Sequence, residues 1–155
     1  MLKPLAVERP IEILVVEDNP AEARLLQEAL REAAVPTHLH LLTTGEAALA
    51  FLRHEGAHAA AVRPDLIVLD LNLPGKSGLE VLAEVSADAS LRRIPSVVLS
   101  GSRAGQDIVK SYDLCANCYV LKPSTLEEFL QVAALIKQFW LTAVALPTLC
   151  EQLSD

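Results

Sequence analysis

Residues 66–75 read LIVLDLNLPG. Four aliphatic residues suited to a strand buried on both faces run into Asp70, and a turn closed by Pro74 and Gly75 follows at once. A carboxylate at the point where a strand leaves the core is costly unless something nearby compensates it. The remainder of the chain supplies four further apolar runs of similar length: IEILVV (11–16), THLHLL (37–42), IPSVVLS (94–100) and CYVLK (118–122). Helical patterns lie between them, such as AEARLLQEALREAA (21–34), where Ala21, Leu25 and Ala29 share a row with Leu26 and Leu30 beside it.

Strand and helix in alternation predict βαβ units, hence an α/β, doubly wound, five-stranded parallel sheet with helices on both faces. Runs one, three and four are nearly continuous in apolar residues, as central parallel strands should be. Run two carries His38 and His40 and reads as an edge strand. EGAHAAAVRP (55–64) is the longest loop candidate. STLE (124–127) predicts a capping box between Ser124 and Glu127 at the start of a last helix. That helix stays apolar past the length a sheet needs, with Phe129, Ala133, Ile136 and Trp140 on one stripe and Leu135, Phe139 and Val144 left for another. A helix apolar on two sides calls for a second partner.

Composition narrows the class. The 155 residues suffice for one domain that buries roughly two-thirds of its unfolded surface. Hydrophobic residues make up 52% and charged ones 21%, the balance of a globular chain. Lys and Arg number 13 against 20 Asp and Glu, and the net charge of −7 disfavours phosphate-backbone binding, so no nucleic-acid partner is expected. Charges at Lys3, Glu8, Arg9 and Glu12 interrupt any signal-peptide run, so a cytoplasmic location is expected. The longest uncharged stretch, Gln138 to Cys150, has 13 residues where a membrane span needs about 20. The expected organisation is an N-terminal extension (1–10), one domain with an extended last helix (11–146) and a tail (147–155).

In a doubly wound sheet, ligands bind beyond the carboxyl ends of the strands where the winding reverses. Those ends carry Glu17-Asp18 after strand one, Asp70 after strand three, Ser100-Gly101 after strand four and Lys122-Pro123 after strand five. Three converging carboxylates repel one another unless a cation compensates. Carboxylates with a backbone carbonyl and retained waters suit Mg²⁺. Lys122 adds a fixed positive charge and Ser100 a hydroxyl, a set able to hold a phosphoryl group.

Two motifs point elsewhere and are discounted. HEGAH (54–58) matches H-E-x-x-H, but Gly56 breaks the helix that a zinc site of this kind requires, and the motif falls at the end of the sheet away from the carboxylates. CANC (115–118) matches C-x-x-C but leads into a strand, whereas a redox pair opens a helix; Cys115 and Cys118 read as ordinary thiols. Glu17-Asp18 alone would be no more than a polar helix start, with Asp18 or Asn19 capping a helix that opens at Pro20.

Taken together, Glu17-Asp18, the D-x-x-x-P-x-x-x-G run from Asp70 to Gly78, Ser100-Gly101, Tyr119 and Lys122-Pro123 resemble the receiver domain of two-component response regulators. SYDLCANCYVLKP (111–123), RPDLIVLDLNLP (63–74) and FWLTAVALP (139–147) are similar to the single-domain regulators that partner cyanobacterial phytochromes. The resemblance implies the flavodoxin-like strand order 2-1-3-4-5. It implies that Asp70 accepts a phosphoryl group from a phosphohistidine, with Mg²⁺ held by Glu17, Asp18, Asp70 and the Asn72 carbonyl. Lys122 and Ser100 would contact the phosphoryl oxygens, Ser100 and Tyr119 would act as the switch pair, and a cis peptide would precede Pro123. It further implies a phytochrome-type sensor histidine kinase as partner, no output domain, a signalling switch rather than an enzyme, and a homodimer through the helix 4, strand 5 and helix 5 face with Phe129, Ile136, Phe139 and Trp140.

Glu17 stands where aspartate is commonest in that family, Gly101 where alanine or threonine is usual, and Gly75, Lys76 and Ser77 replace bulkier or acidic loop residues. The rival reading is a small Mg-dependent phosphohydrolase with an aspartate nucleophile. Such enzymes want a second aspartate two residues on as general acid, where this chain has Asn72. Magnitudes also limit the switch. Inverting a 1:99 equilibrium takes about 5.5 kcal/mol of differential binding, and one hydrogen bond to a charged group gives roughly 1.5–3. Ser100 therefore needs help from Lys122, the metal and a partner surface.

Overall fold

The computed structural model describes residues 9–33 and 35–147; most of the expected N-terminal extension and tail lies outside them. The five apolar runs become β1 (Ile11–Val16), β2 (Thr37–Leu42), β3 (Leu66–Leu69), β4 (Ser96–Ser100) and β5 (Cys118–Leu121). They pair in parallel in the order β2-β1-β3-β4-β5. The helices are α1 (Pro20–Arg31), α2 (Gly45–Arg53), α3 (Gly78–Ala87), α4 (Gly105–Asp113) and α5 (Leu126–Gln138).

Strand side chains alternate between two cores. Ile13, Val15, Leu66, Val68, Val97 and Leu99 face α1 and α5, joining Leu26, Leu30, Phe129 and Ile136. Leu14, Val16, Ile67, Leu69 and Val98 face the other layer with Leu49, Leu52, Val81 and Leu82. This double burial is why β3 is wholly apolar and β1 and β4 nearly so. The edge strand β2 is only partly buried, and its His38 and His40 are hydrogen-bonded to the two oxygens of Glu12 at 2.9 and 2.7 Å.

Three expectations about the chain's second half change. α5 begins one residue later than STLE implied: Thr125, with extended backbone, is the cap, and its hydroxyl accepts the Glu128 N–H at 3.2 Å. TLEE carries the same S/T-x-x-E pattern as STLE, so spacing alone could not choose between them. The α-helix stops at Gln138 and widens into a π-helical turn over Phe139–Ala143, closed by the Val144 N–H on the Phe139 carbonyl at 3.0 Å. The wider turn puts Trp140 and Leu141 together into the core. Finally, the Lys122–Pro123 peptide is trans, as are all peptide bonds among the described residues, which corrects the expected cis bond. Trans is the lower-energy isomer, and Lys122 is already aimed by its strand, its N–H donating to the Ser100 carbonyl at 2.9 Å.

The discounted motifs behave as ordinary structure. His54 caps α2 in the left-handed conformation (φ 56°), and a 3₁₀ turn over Gly56–His58 follows. Cys115 is exposed with φ 70°, Cys118 is half-buried, and both are free thiols. Arg9, placed by sequence in the extension, forms a two-pronged ion pair with fully buried Asp65 at 2.7 and 2.8 Å.

Candidate phosphoryl-acceptor site

Asp70 follows the last residue of β3, and its N–H donates to the Val16 carbonyl at 3.0 Å, which ties it to the end of β1. Glu17 leaves β1 at the same level, and its N–H donates to the Leu42 carbonyl. Asn19 caps α1 by accepting the Ala21 and Glu22 N–H groups at 3.0 and 3.1 Å, with Pro20 at the first helical position. The cap turns the chain sharply and leaves Asp18 exposed at the rim. Ligand oxygens of Glu17, Asp18 and Asp70 then lie within 4.8 Å of one another. It is the single group of three potential ligand side chains that converges in this way among the described residues.

The β3–α3 loop is held from both sides. A Cβ on Gly78 would fall 2.3 Å from the Asp70 carbonyl oxygen, so only glycine lets α3 start this close to the acceptor strand. Gly75 adopts φ 70°, and the Lys76 N–H donates to a Glu46 carboxylate oxygen at 2.5 Å. The Asn72 N–H points back to Asp70 Oδ1 at 3.4 Å. Beside Ser100, Gly101 faces open space, with nothing within 4 Å of where a Cβ would sit.

Lys122 reaches the centre of the cluster. Its ammonium donates to Glu17 and, at 2.5 Å, to Glu22 Oε2, and lies 3.4 Å from Asp70 Oδ2. Burial alone would lower the lysine's pKa; the bonds to Glu17 and Glu22 and the charge of Asp70 override it and hold the ammonium charged. Glu17 is buried, and that burial, reinforced by the Asp70 charge and opposed by Lys122, pushes its carboxyl up to about 7. A buried carboxyl held so close to neutrality beside a second carboxylate is the setting a divalent cation would relieve. The donor set is all oxygen, so the residues fit a hard ion.

Ser100 is fully buried, and its hydroxyl accepts the Ser102 N–H at 3.2 Å. The Tyr119 hydroxyl donates to the Ser102 carbonyl at 2.8 Å. Ser102 thus links the two expected switch residues, and its own hydroxyl donates to Asp107 at 2.6 Å at the start of α4. Sequence reading missed Ser102 and Glu22. Glu22 could have been sought in the first turn of α1, whose start beside the acidic pair was legible; Ser102 gave no signal beyond its place in a loop.

Of the four expected interface residues, Phe129, Ile136 and Trp140 are 5%, 4% and 8% exposed and belong to the chain's own core, which corrects that expectation. Their stripe faces the sheet. Phe139, at 56% exposed, faces out, together with Leu135 at 65%.

A parallel 2-1-3-4-5 sheet with two acidic residues after β1, an aspartate after β3 and a lysine after β5 defines a receiver domain. Residues 13–134 match the response regulator receiver domain family, and the chain belongs to it. Over 138 residues it is 45% identical to response regulator Rcp1 of Synechocystis sp., covering 89% of this chain and 94% of that protein. The solved Mn²⁺-bound form of Rcp1 superposes with a TM-score of 0.88 over 89% of this chain and 99% of that one. The phosphorylated cyanobacterial phytochrome response regulator RcpA, 50% identical, superposes at 0.87 over 90% and 99%. No helix among the described residues is long and apolar enough to cross a membrane.

Proposed function

We propose that Asp70 is the phosphoacceptor of this response regulator and that the phosphoryl donor is the phosphohistidine of a phytochrome-type sensor kinase. The observation that carries the reading is the convergence of Glu17, Asp18 and Asp70 within 4.8 Å, with the Lys122 ammonium among them. The names of the relatives support the kinase class, since RcpA is a phytochrome response regulator solved in phosphorylated form.

In transfer, an Asp70 oxygen forms the new P–O bond as the P–N bond to the histidine breaks. Mg²⁺ held by Glu17, Asp18, Asp70 and the Asn72 carbonyl would neutralise charge on the phosphoryl oxygens. Lys122 supplies a second cation to the same oxygens, and the Ser100 hydroxyl leaves the Ser102 N–H to donate to one of them. That exchange frees the Ser102 segment, and with it the Tyr119 hydroxyl, so Ser100 and Tyr119 move as a pair. The open space beside Gly101 admits water to the acyl phosphate. The protein works as a cytoplasmic switch, with self-catalysed phosphorylation and hydrolysis as its chemistry.

A second copy covers the face of α4, β5 and α5. Val109 and Tyr112 of α4 and Leu135 and Phe139 at the end of α5 are exposed there, and a groove of about 280 Å³ opens between Val120, Leu135 and Phe139. Apolar side chains of this size in one area mark an association surface. Light scattering over a concentration series tests the dimer, and a strict monomer at all concentrations removes it. Incubation with acetyl phosphate and Mg²⁺ followed by intact mass tests the acceptor: the wild type gains one phosphoryl group and Asp70→Asn gains none. A wild type without added mass sinks the assignment.

A further inference from the structure

The Lys122 ammonium has three N–H donors and three carboxylates around it: Glu17, Glu22 at 2.5 Å and Asp70 at 3.4 Å. Glu22 comes from the first turn of α1 and is outside the converging metal-ligand set. The two bonded partners differ in freedom. The Glu17 side chain is 6% exposed and enclosed by the site, whereas that of Glu22 is 33% exposed and can turn to water at small cost. With Glu17, Asp18 and Asp70 engaged in holding a cation, Glu22 would remain as the anion on Lys122. An arriving phosphoryl group needs a donor from that same ammonium.

We propose that Glu22 is a positioning residue that holds Lys122 in reserve and competes with the phosphoryl group for it, so that the side chain at position 22 sets how tightly the site holds a phosphoryl group. The inference rests on the receiver reading above. A Glu22 that served only to offset the α1 N-terminal dipole would act on stability and leave Lys122 unaffected.

Two readouts on the full chain test this, with Glu22→Gln and Glu22→Ala compared against wild type. The first is binding of beryllofluoride, a phosphoryl mimic, in the presence of Mg²⁺, followed by ¹⁹F NMR. The second, without metal, is the rate at which an amine-reactive ester acylates Lys122, read by peptide mass spectrometry with Lys76, Lys110 and Lys137 as internal references. Loss of a partly exposed charged pair predicts affinity tighter by about two- to fivefold in both variants. It also predicts Lys122 acylation at least about twofold faster, with the reference lysines unchanged. Unchanged or weaker beryllofluoride binding, or unchanged Lys122 reactivity, overturns the inference. Failure of the wild type to bind beryllofluoride removes the receiver reading itself and the inference with it, an outcome visible without the variants.

Discussion

Glu17 shows at the scale of one residue why the acceptor site needs a cation. Its carboxyl is raised from 4.5 to about 7, chiefly by burial, so in the metal-free chain the folded state binds a proton that the unfolded state has released across that window. Stability from this group is full below about pH 4.5 and is lost as pH rises towards 7. The thermal midpoint of the metal-free protein should therefore fall between pH 5 and pH 7.5. Mg²⁺ should restore it at the upper end by binding the folded state alone, and Glu17→Gln should flatten the profile. A metal-free midpoint that rises over this range contradicts the burial argument. Cys118 gives a second residue-scale expectation: burial pushes its thiol up despite a hydrogen bond with Trp140. Iodoacetamide at pH 8 should alkylate exposed Cys115 well before Cys118, and equal rates would show that β5 opens readily. Asp70 and Lys122 were legible because each sits at a strand end where a charge has no structural excuse, and the acidic pair, which alone reads as a helix start, became legible beside them. Glu22 and Ser102 were not, because an acid in a first helical turn and a serine in a loop each have a sufficient local explanation.

Among the elements, the join between β3 and α3 is the most constrained. Gly78 lets the helix start against the acceptor strand, and a methyl group there meets the Asp70 carbonyl at 2.3 Å and the Leu71 Cα at 2.6 Å. Both neighbours are backbone and cannot give way locally, so Gly78→Ala should cost about 2 kcal/mol or more in urea unfolding. It should also slow phosphorylation, because α3 would be displaced from the loop that carries Asn72. An unchanged midpoint would mean that the loop is softer than its contacts imply. The sequence pattern located all five strands and the helices α1 and α5, since each buries a stripe or a face whose spacing survives in the chain, and the alternation of elements implied the helices between them. It did not locate the π-helical turn at Phe139–Ala143, because the residues there are apolar on every side and no period marks the change.

For the whole molecule, the separation of core from surface along α5 decides how the protein assembles. Phe129, Ile136 and Trp140 complete the monomer's own core, while Leu135 and Phe139 stand outside it. Ile136→Ala should destabilise the monomer by roughly 2–5 kcal/mol. Phe139→Glu should change monomer stability by no more than about 0.5 kcal/mol yet shift light scattering towards monomer. A Phe139→Glu protein that still dimerises at wild-type concentrations would move the interface elsewhere. The sequence showed an apolar surplus in the last helix but not which stripe the sheet would claim, since that depends on the packing of α1 against α5. Under the proposed function Asp70, set between the acidic pair and Lys122, carries the signal as an acyl phosphate. Borohydride reduction of the acetyl phosphate-treated chain tests it most directly, because the reagent converts a phosphorylated aspartate to homoserine, which peptide mass spectrometry then locates. Homoserine at position 70, dependent on Mg²⁺, is the predicted result; reduction at any other carboxylate, or none at position 70, would contradict the account.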